Sequence, residues 1–245
     1  MSHKGFNAYN QEQFFTNYFK RRERSDSPNN AIEGPMIFEM LGDITGNSIL
    51  DLGCGDGSFG KDLIQNGATE YMGVEGSEKM VEAAKANLKT LNGKVIKDTM
   101  ESYPYPDKAY DIVTSRFAIH YVSDINQLFD SIHKSLKDNG KFIFSVQHPL
   151  TTSSFLSKQS GEKRENWIVD NYFLDGEREE PWIDHIVVKF HRTIEQYFTA
   201  LRDNGFTILE LREGNPKRQH FSSEEEFKRR QRIPVVLAFA CEKSK

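Results

Sequence analysis

A glycine-rich segment at residues 51–57 holds the side chains and backbone best placed to do chemistry in this chain. A short apolar run ends at Asp51, and three glycines then alternate with other residues, at positions 53, 55 and 57. Glycine adopts positive φ and has no side chain, so this backbone can turn sharply and approach a ligand closely. A strand that leads through such a loop into a helix, here predicted from about residue 59 to 65, is typical of nucleotide-like ligand sites.

An acid also follows the next predicted strand, where Glu75 comes after residues 71–74. In nucleotide-binding folds an acid at this strand end binds ribose hydroxyls. Gly55, Gly57 and Gly60 also satisfy the G-x-G-x-x-G pattern of dinucleotide-binding proteins, so the glycines alone leave two ligands open, besides a turn with no ligand. Asp51 favours a ligand without phosphate, because a carboxylate repels a pyrophosphate and attracts an ammonium group.

Residues 51–57 resemble the D-x-G-x-G-x-G motif of the class I S-adenosylmethionine-dependent methyltransferases, and the likeness runs from about Tyr18 to the C-terminus. Residues 136–140 are similar to the family's L-K-P-G-G turn, with the proline and the first glycine replaced. Residues 144–149 match the F-S-V-x-H-P of the ubiquinone/menaquinone-biosynthesis-like group, and residues 189–193 resemble its K-Y-H-R-T. The resemblance implies methyl transfer from S-adenosylmethionine, and it leaves the acceptor open.

The fold expected from this resemblance is a Rossmann-like α/β fold with a doubly wound, mostly parallel seven-stranded sheet. Its last two strands, predicted at about 207–211 and 235–240, form an antiparallel hairpin that dinucleotide-binding folds lack. Alternating strand and helix patterns agree with this architecture, as do a helix cap at Ser77 and a capping box that begins at Thr193. We expect a single domain over residues 1–245, with an N-terminal helical cap at 1–45 and a lid over the acceptor at 148–192.

The resemblance also implies which residues hold the cofactor. The glycine loop, the ends of the following strands and the loop that frames adenine give Asp51, Gly53, Cys54, Gly55, Glu75, Gly76, Met80, Asp98, Thr99, Met100 and Ser115. Tyr18 and Arg22 are expected to close over the cofactor, with the arginine pairing with the methionine carboxylate. A solvated basic helix end explains the same N-terminal run equally well.

Histidine is the natural base if the acceptor must lose a proton near neutral pH. His148 is the first candidate because it leaves the fifth strand of the predicted sheet, where ligands bind in open α/β sheets, and His120 is the second. A positioning or packing role is equally open for each histidine.

Residues expected at the acceptor are Arg116, Tyr172, Trp182 and His191, with Trp167 as a further aromatic candidate. Aromatic rings offer contact area and orientation together, but the same rings could pack the lid against the sheet. Arg116 either neutralises an anionic acceptor or faces solvent.

Composition restricts the partners. Lys and Arg (32) nearly balance Asp and Glu (36), so the net charge of −4 provides no general field for nucleic acid. Two cysteines do not form a disulfide framework, and no apolar run reaches membrane-spanning length. We expect a cytoplasmic protein with a small-molecule acceptor, no metal, no nucleic-acid or membrane partner, and a homodimer as a candidate assembly.

Two other functions stay open at this level. Nucleic-acid methyltransferases that modify amino groups carry an N-P-P-Y-like motif after the fourth strand, and residues 115–118 are unlike it. A protein that binds the cofactor without catalysis could keep the same glycine motif.

Overall fold

The computed structural model describes residues 2–156, 166–182 and 185–244. The N-terminal region contains a short strand, two helices, a π-helical turn at Asn29–Glu33 and a third helix. Their bounds are β1 (Ser2–Lys4), α1 (Gly5–Ala8), α2 (Glu12–Arg22) and α3 (Gly34–Leu41). The sequence predicts one helix over about 31–41; in the structure this segment begins as the π-turn, and α3 continues it with Pro35 in the first turn, where no backbone N–H is needed.

Among the described residues, seven strands form the main sheet: β2 (Ser48–Leu52), β3 (Glu70–Glu75), β4 (Gly93–Lys97), β5 (Tyr110–Arg116), β6 (Leu136–Gln147), β9 (Phe206–Glu213) and β10 (Val236–Lys243). Their order is β4-β3-β2-β5-β6-β10-β9. The first five are parallel, and β10 is antiparallel to both β6 and β9. The predicted doubly wound sheet with an antiparallel C-terminal hairpin is confirmed.

Helices cover both faces of this sheet, which is why β2 at its centre is buried along its whole length. The elements that follow the strands are α4 (Ser58–Gln65), α5 (Glu78–Asn87), α6 (Ile125–Ser135), α7 (Pro149–Thr152), α8 (Ile194–Asp203) and α9 (Glu224–Arg230), with 3₁₀ turns at Ile119–Tyr121 and Arg218–His220. Helices α3, α4 and α5 share one apolar core and α6 and α8 share the other. Successive residues of β2 alternate between them: Ile49 lies in the first core and Leu50 in the second.

A second, three-stranded sheet lies outside the main one, in the order β1-β8-β7, where β7 is Gly176–Trp182 and β8 is His185–His191. Strand β1 is parallel to β8, and β7 is antiparallel to it. Alternating apolar residues predict a strand over 186–190, whereas the polar, aromatic-rich sequence of residues 148–184 predicts irregular structure, and β7 corrects that second expectation. Its polar sequence and Pro181 disfavour a strand, and pairing with β8 overrides this local preference.

Local start signals in the sequence correspond to helix starts in the structure. The Oγ of Ser77 accepts the N–H of Met80 at 3.4 Å, and Thr193 and Gln196 form a complete capping box for α8. The sequence predicts that the helix beginning at Ile125 includes Leu136 and ends at Asn139 and Gly140, but α6 ends at Ser135 because Leu136 already pairs with Tyr110 of β5. No helix in the described ranges is long and apolar enough to cross a membrane.

Candidate active site

A cavity of about 1330 Å³ lies at the carboxyl ends of the central parallel strands, under the small sheet and α2. The residues that line it from the main sheet and its loops include Asp51, Gly53, Cys54, Gly55, Glu75, Gly76, Met80, Asp98, Thr99, Met100, Arg116 and His120. Tyr18 and Arg22 line it from the N-terminal region, and Trp167 and Trp182 from the segment expected to be the lid. The structure thus brings most of the predicted site residues to one cavity.

The glycine loop begins where β2 ends, because the N–H of Gly53 bonds the carbonyl of Val74 at 2.8 Å and the chain then turns. Gly53 has φ +73°, and a Cβ there would come within 2.5 Å of the Ala118 Cβ. Gly55 also lines the cavity and has φ +58°, but a Cβ there would meet no other atom within 4 Å. The two positions need glycine for different reasons. Gly53 packs closely against Ala118, which follows β5, and Gly55 allows the turn itself.

Two buried acids face this loop. Asp51 is 1% exposed, and its Oδ2 accepts a hydrogen bond from the Tyr71 hydroxyl at 2.8 Å. Burial raises the pKa of Asp51 to about 6, against the lowering effect of that bond. Glu75 accepts the N–H of Gly55 at 3.0 Å and the N–H of Ser77 at 2.8 Å. Burial also raises the pKa of Glu75, while these backbone bonds lower it. Both acids are therefore positioned at the cavity with their charges incompletely compensated.

The N-terminal region closes one side of the same loop. Tyr18 and Arg22 are hydrogen-bonded to each other, and the Tyr18 hydroxyl is the largest contribution to the raised pKa of Arg22. The Ser77 Oγ donates to the Asn10 Oδ1 at 2.8 Å, beside Glu75, and Lys79 forms an ion pair with Glu12. These contacts attach Asn10 and the start of α2 to the start of α5, and Tyr18 and Arg22 line the same cavity as the two acids.

Ser115, His148, Tyr172 and His191 do not line the cavity of the described residues. Ser115 is fully buried, and its Oγ donates to the carbonyl of Leu52 at 2.8 Å. It therefore ties β5 to the end of β2, and its hydroxyl is directed into the sheet instead of the ligand space.

Both ring nitrogens of His148 form hydrogen bonds within the protein. Its Nδ1 accepts the N–H of Leu150 at 3.1 Å, which caps α7, and its Nε2 bonds Glu213 at 2.9 Å. Burial lowers the pKa of His148, and the bond to Glu213 opposes that lowering. A base must reach the proton it removes, and neither nitrogen is directed at the cavity. This placement argues against the interpretation of His148 as the general base.

His191 and Tyr172 contact each other instead of a ligand. The His191 Nε2 bonds the carbonyl of Tyr172 at 2.9 Å, and its Nδ1 bonds the Thr152 hydroxyl at 2.7 Å. The Tyr172 ring lies 5.7 Å from the His191 ring. These contacts join the segment after β6 to β8, so both side chains hold the small sheet in place.

His120 does reach the cavity, from the 3₁₀ turn after β5. It is 2% exposed, its ring lies 4.5 Å from that of Tyr121, and its Nδ1 accepts the backbone N–H of Gln147 at 3.5 Å. Burial is the main cause that lowers the pKa of His120 well below 6.5, and the charge of Lys189 adds to it. His120 is therefore a neutral imidazole in the cavity wall near neutral pH.

Arg116 has an acid partner that sequence reasoning did not identify. Its guanidinium forms a bidentate pair with the carboxylate of Glu33, with Nε 2.9 Å from both oxygens, and it packs 4.3 Å above the Phe59 ring. Glu33 is fully buried and also accepts the Ser145 hydroxyl at 2.7 Å. The charge of Arg116 is thus compensated within the protein, which weakens the interpretation that it neutralises an acceptor.

The small sheet contributes a buried ion pair, Lys189 with Glu180, that was also missed. The Lys189 Nζ lies 4.6 Å from the centroid of the Trp182 ring, which lines the cavity as expected. The alternation of residues along β8 could have indicated this buried lysine. Every second side chain of a strand lies on the same face, and Lys189 shares the buried face with Val187 and His191.

The polar groups that line the cavity fit S-adenosylmethionine. Asp51 is a buried carboxylate whose hydrogen-bond partner is the neutral hydroxyl of Tyr71, which suits a cationic ammonium group. Glu75 lies at the next strand end, where a carboxylate can accept hydroxyl groups, and the open side of Gly55 lets a ligand approach the backbone. No phosphate-binding cation is needed for such a ligand.

Comparisons with known proteins agree with this site. The family model described as a methyltransferase domain matches residues 50–144. A solved S-adenosylmethionine-dependent methyltransferase from Mesorhizobium loti is 30% identical, with a TM-score of 0.80 over 88% of this chain and 99% of that one. A structure from Listeria monocytogenes is 28% identical, with a TM-score of 0.79 over 87% and 97% of the two chains.

The chain belongs to the class I S-adenosylmethionine-dependent methyltransferases, and S-adenosylmethionine is its cofactor. Its likeness to the ubiquinone/menaquinone-biosynthesis-like group is confirmed by relatives such as a demethylmenaquinone methyltransferase from Lactococcus lactis. That protein is 27% identical over 76% of each chain.

Proposed function

We propose that this enzyme transfers a methyl group to a small organic acceptor that binds under the small sheet, next to His120. One observation carries the proposal: a single cavity joins Asp51 and Glu75 at one end to His120 and Trp182 at the other. The cofactor, when bound, supplies an electrophilic methyl group.

The cofactor half is assigned to the ends of β2, β3 and β4. Asp51 would hold the ammonium group and Glu75 the ribose hydroxyls, while the loop of Asp98, Thr99 and Met100 would frame the adenine. Arg22 lines the same cavity and would pair with the carboxylate of the cofactor, as a guanidinium does in bidentate contacts.

The acceptor half is then the space over the ends of β5 and β6. Tyr9, Tyr121 and Trp182 supply ring surface there, and Gln147 and His120 supply polar groups. An aromatic wall with few polar groups is typical of pockets for small organic molecules. Because the small sheet and α1 cover this space, they would exclude water from the transfer step, which supports the lid function proposed for residues 148–192.

A nucleic-acid acceptor has weaker support. Three of the arginines that line the cavity have acid partners close by, since Arg24 pairs with Asp26 and both Arg229 and Arg230 pair with Glu226. Such pairs reduce the positive potential that binding to a phosphate backbone requires.

The test is a comparison of small metabolites in cells with the wild-type protein and in cells with Gly53→Leu, whose side chain would collide with Ala118 in the cofactor loop. The proposal predicts a small molecule that gains one methyl group only with the wild-type protein. Identical metabolite profiles, together with methylated RNA or protein found only with the wild type, would contradict it.

A further inference from the structure

The tautomer of His120 can be assigned from one contact. A backbone N–H can only donate, so the bond from the Gln147 N–H at 3.5 Å requires a lone pair on the Nδ1 of His120. A neutral imidazole with a lone pair on Nδ1 carries its proton on Nε2. Within the described residues the Nε2 has no hydrogen-bond partner, and the ring lines the cavity. His120 therefore offers the acceptor a donor.

Charges from the neighbouring elements set the field at this donor. Lys189 and Glu180 act on His120 from the small sheet, and Arg192 acts from the segment that follows β8. The Nη2 of Arg192 donates to the carbonyls of Val122 at 2.7 Å and Ser123 at 2.6 Å, just past the His120 turn. Lys189 is paired with Glu180, so Arg192 leaves an excess of one positive charge among these three groups, which favours an anion near His120.

Resting on the methyl-transfer function above, we propose that the acceptor is a small organic acid whose anionic oxygen accepts a hydrogen bond from the Nε2–H of His120. The class comprises carboxylic acids, and phenols or enols acidic enough to ionise near neutral pH. The aromatic wall formed by Tyr9, Tyr121 and Trp182 takes the apolar body of the acid.

His120 then acts as a hydrogen-bond donor that positions the acceptor, and not as a base. An oxygen lone pair forms the new bond to the methyl carbon, and the carbon–sulfur bond breaks with its electron pair left on sulfur. Because the acceptor arrives ionised, no proton has to leave it in this step. A general base is most effective when its pKa lies near the working pH, and burial moves the pKa of His120 away from that range.

The first experiment reads the tautomer by nitrogen NMR of the protein labelled in its histidines, with the His120 signals identified by their loss in His120→Gln. The proposal predicts that His120 is neutral near neutral pH and that its proton is on Nε2. A proton on Nδ1, or a charged imidazole at neutral pH, would overturn the proposal. Neither result depends on turnover.

The second experiment measures binding of three probes of similar shape to the complex with S-adenosylhomocysteine: naphthoate, naphthamide and naphthylmethylammonium. We expect naphthoate to bind and to shift the His120 Nε2 signal, and the neutral and cationic probes to do neither. His120→Gln keeps a donor near the Nε2 position and should retain naphthoate binding within about tenfold, whereas His120→Leu should lose more than about tenfold, the scale for a hydrogen bond to a charge.

Equal binding of the three probes, preference for the ammonium, or no shift of the His120 signal by any probe would overturn the assignment of an acidic acceptor. Failure of the proposed function has a separate readout. A methylated macromolecule in place of a methylated small molecule would refute the proposed function, whatever the tautomer of His120.

Discussion

The hydroxyl of Tyr71 donates a hydrogen bond of 2.8 Å to Asp51, and this neutral group is the partner that the structure gives the buried carboxylate. Tyr71 lies on β3, next to β2, and its ring also fills the space beside Gly60, where a Cβ would come within 2.3 Å of it. Gly60, in the first turn of α4, therefore serves strand–helix packing, and Asp51 is left with an ionic charge that its hydrogen-bond partner does not neutralise.

Asp51→Asn should stabilise the cofactor-free protein. A pKa of about 6 in place of 3.8 means that the ionised carboxylate costs about 3 kcal/mol near neutral pH. Asparagine keeps an acceptor for Tyr71 without the charge. Urea unfolding measures the free energy of unfolding, and calorimetry with S-adenosylhomocysteine should show weaker binding by the same variant. An unchanged or reduced free energy of unfolding would contradict this account of Asp51.

The gain in stability from Asp51→Asn should depend on pH and should be larger at higher pH. The folded-state pKa of Asp51 is raised, so folding takes up a proton between about pH 4 and 6, and stability falls as pH rises through that window. The advantage of Asp51→Asn should therefore be complete above pH 6 and fall to about half at pH 5. A difference between the two proteins that does not vary with pH would rule out ionisation as its cause.

Arg116→Met should destabilise the fold by about 3–5 kcal/mol, because it leaves the fully buried carboxylate of Glu33 without its cation. The control is the double variant with Glu33→Gln, which removes both charges and should recover most of the loss in urea unfolding. If the single variant is as stable as the wild type, the ion pair is not a structural requirement.

Trp182→Ala should slow methyl transfer and leave the affinity for S-adenosylhomocysteine within about threefold, because Trp182 lines the part of the cavity in which we propose that the acceptor binds. Tyr172→Ala is the matched control from the same segment, since Tyr172 lies outside the cavity wall of the described residues. Calorimetry and transfer of a labelled methyl group read the two properties separately. Equal loss of transfer in both variants would mean that the segment acts only through its folding.

His148→Ala should reduce the free energy of unfolding by about 1 kcal/mol, because the side chain caps α7. Its methyl-transfer rate should equal that of the wild type at a temperature where both are folded. A rate lower by orders of magnitude with normal stability would return His148 to the role of base.

Local signals explain what could be predicted from the sequence. The cap at Ser77, the capping box at Thr193 and the strand that ends at Asp51 each depend on residues within a few positions of one another. The sheet order and the cofactor end of the cavity follow from those elements and from the family resemblance.

Other features could not be predicted from the sequence, because they depend on contacts between residues that are far apart in the chain. His148 is directed away from the cavity by Glu213, 65 residues later, and Arg116 is neutralised by Glu33, 83 residues earlier. Strand β7 exists through its pairing with β8, against the preference of its own sequence. No pattern along the chain reports such pairings.

The most direct test of the central claim is the destination of a labelled methyl group. Purified protein is incubated with methyl-labelled S-adenosylmethionine and separated small-molecule, nucleic-acid and protein fractions of a cell extract, with Gly53→Leu as the inactive control. The account predicts label in the small-molecule fraction, on a compound that is an acid before methylation. Label only in nucleic acid or protein, or equal label with the control variant, would contradict it.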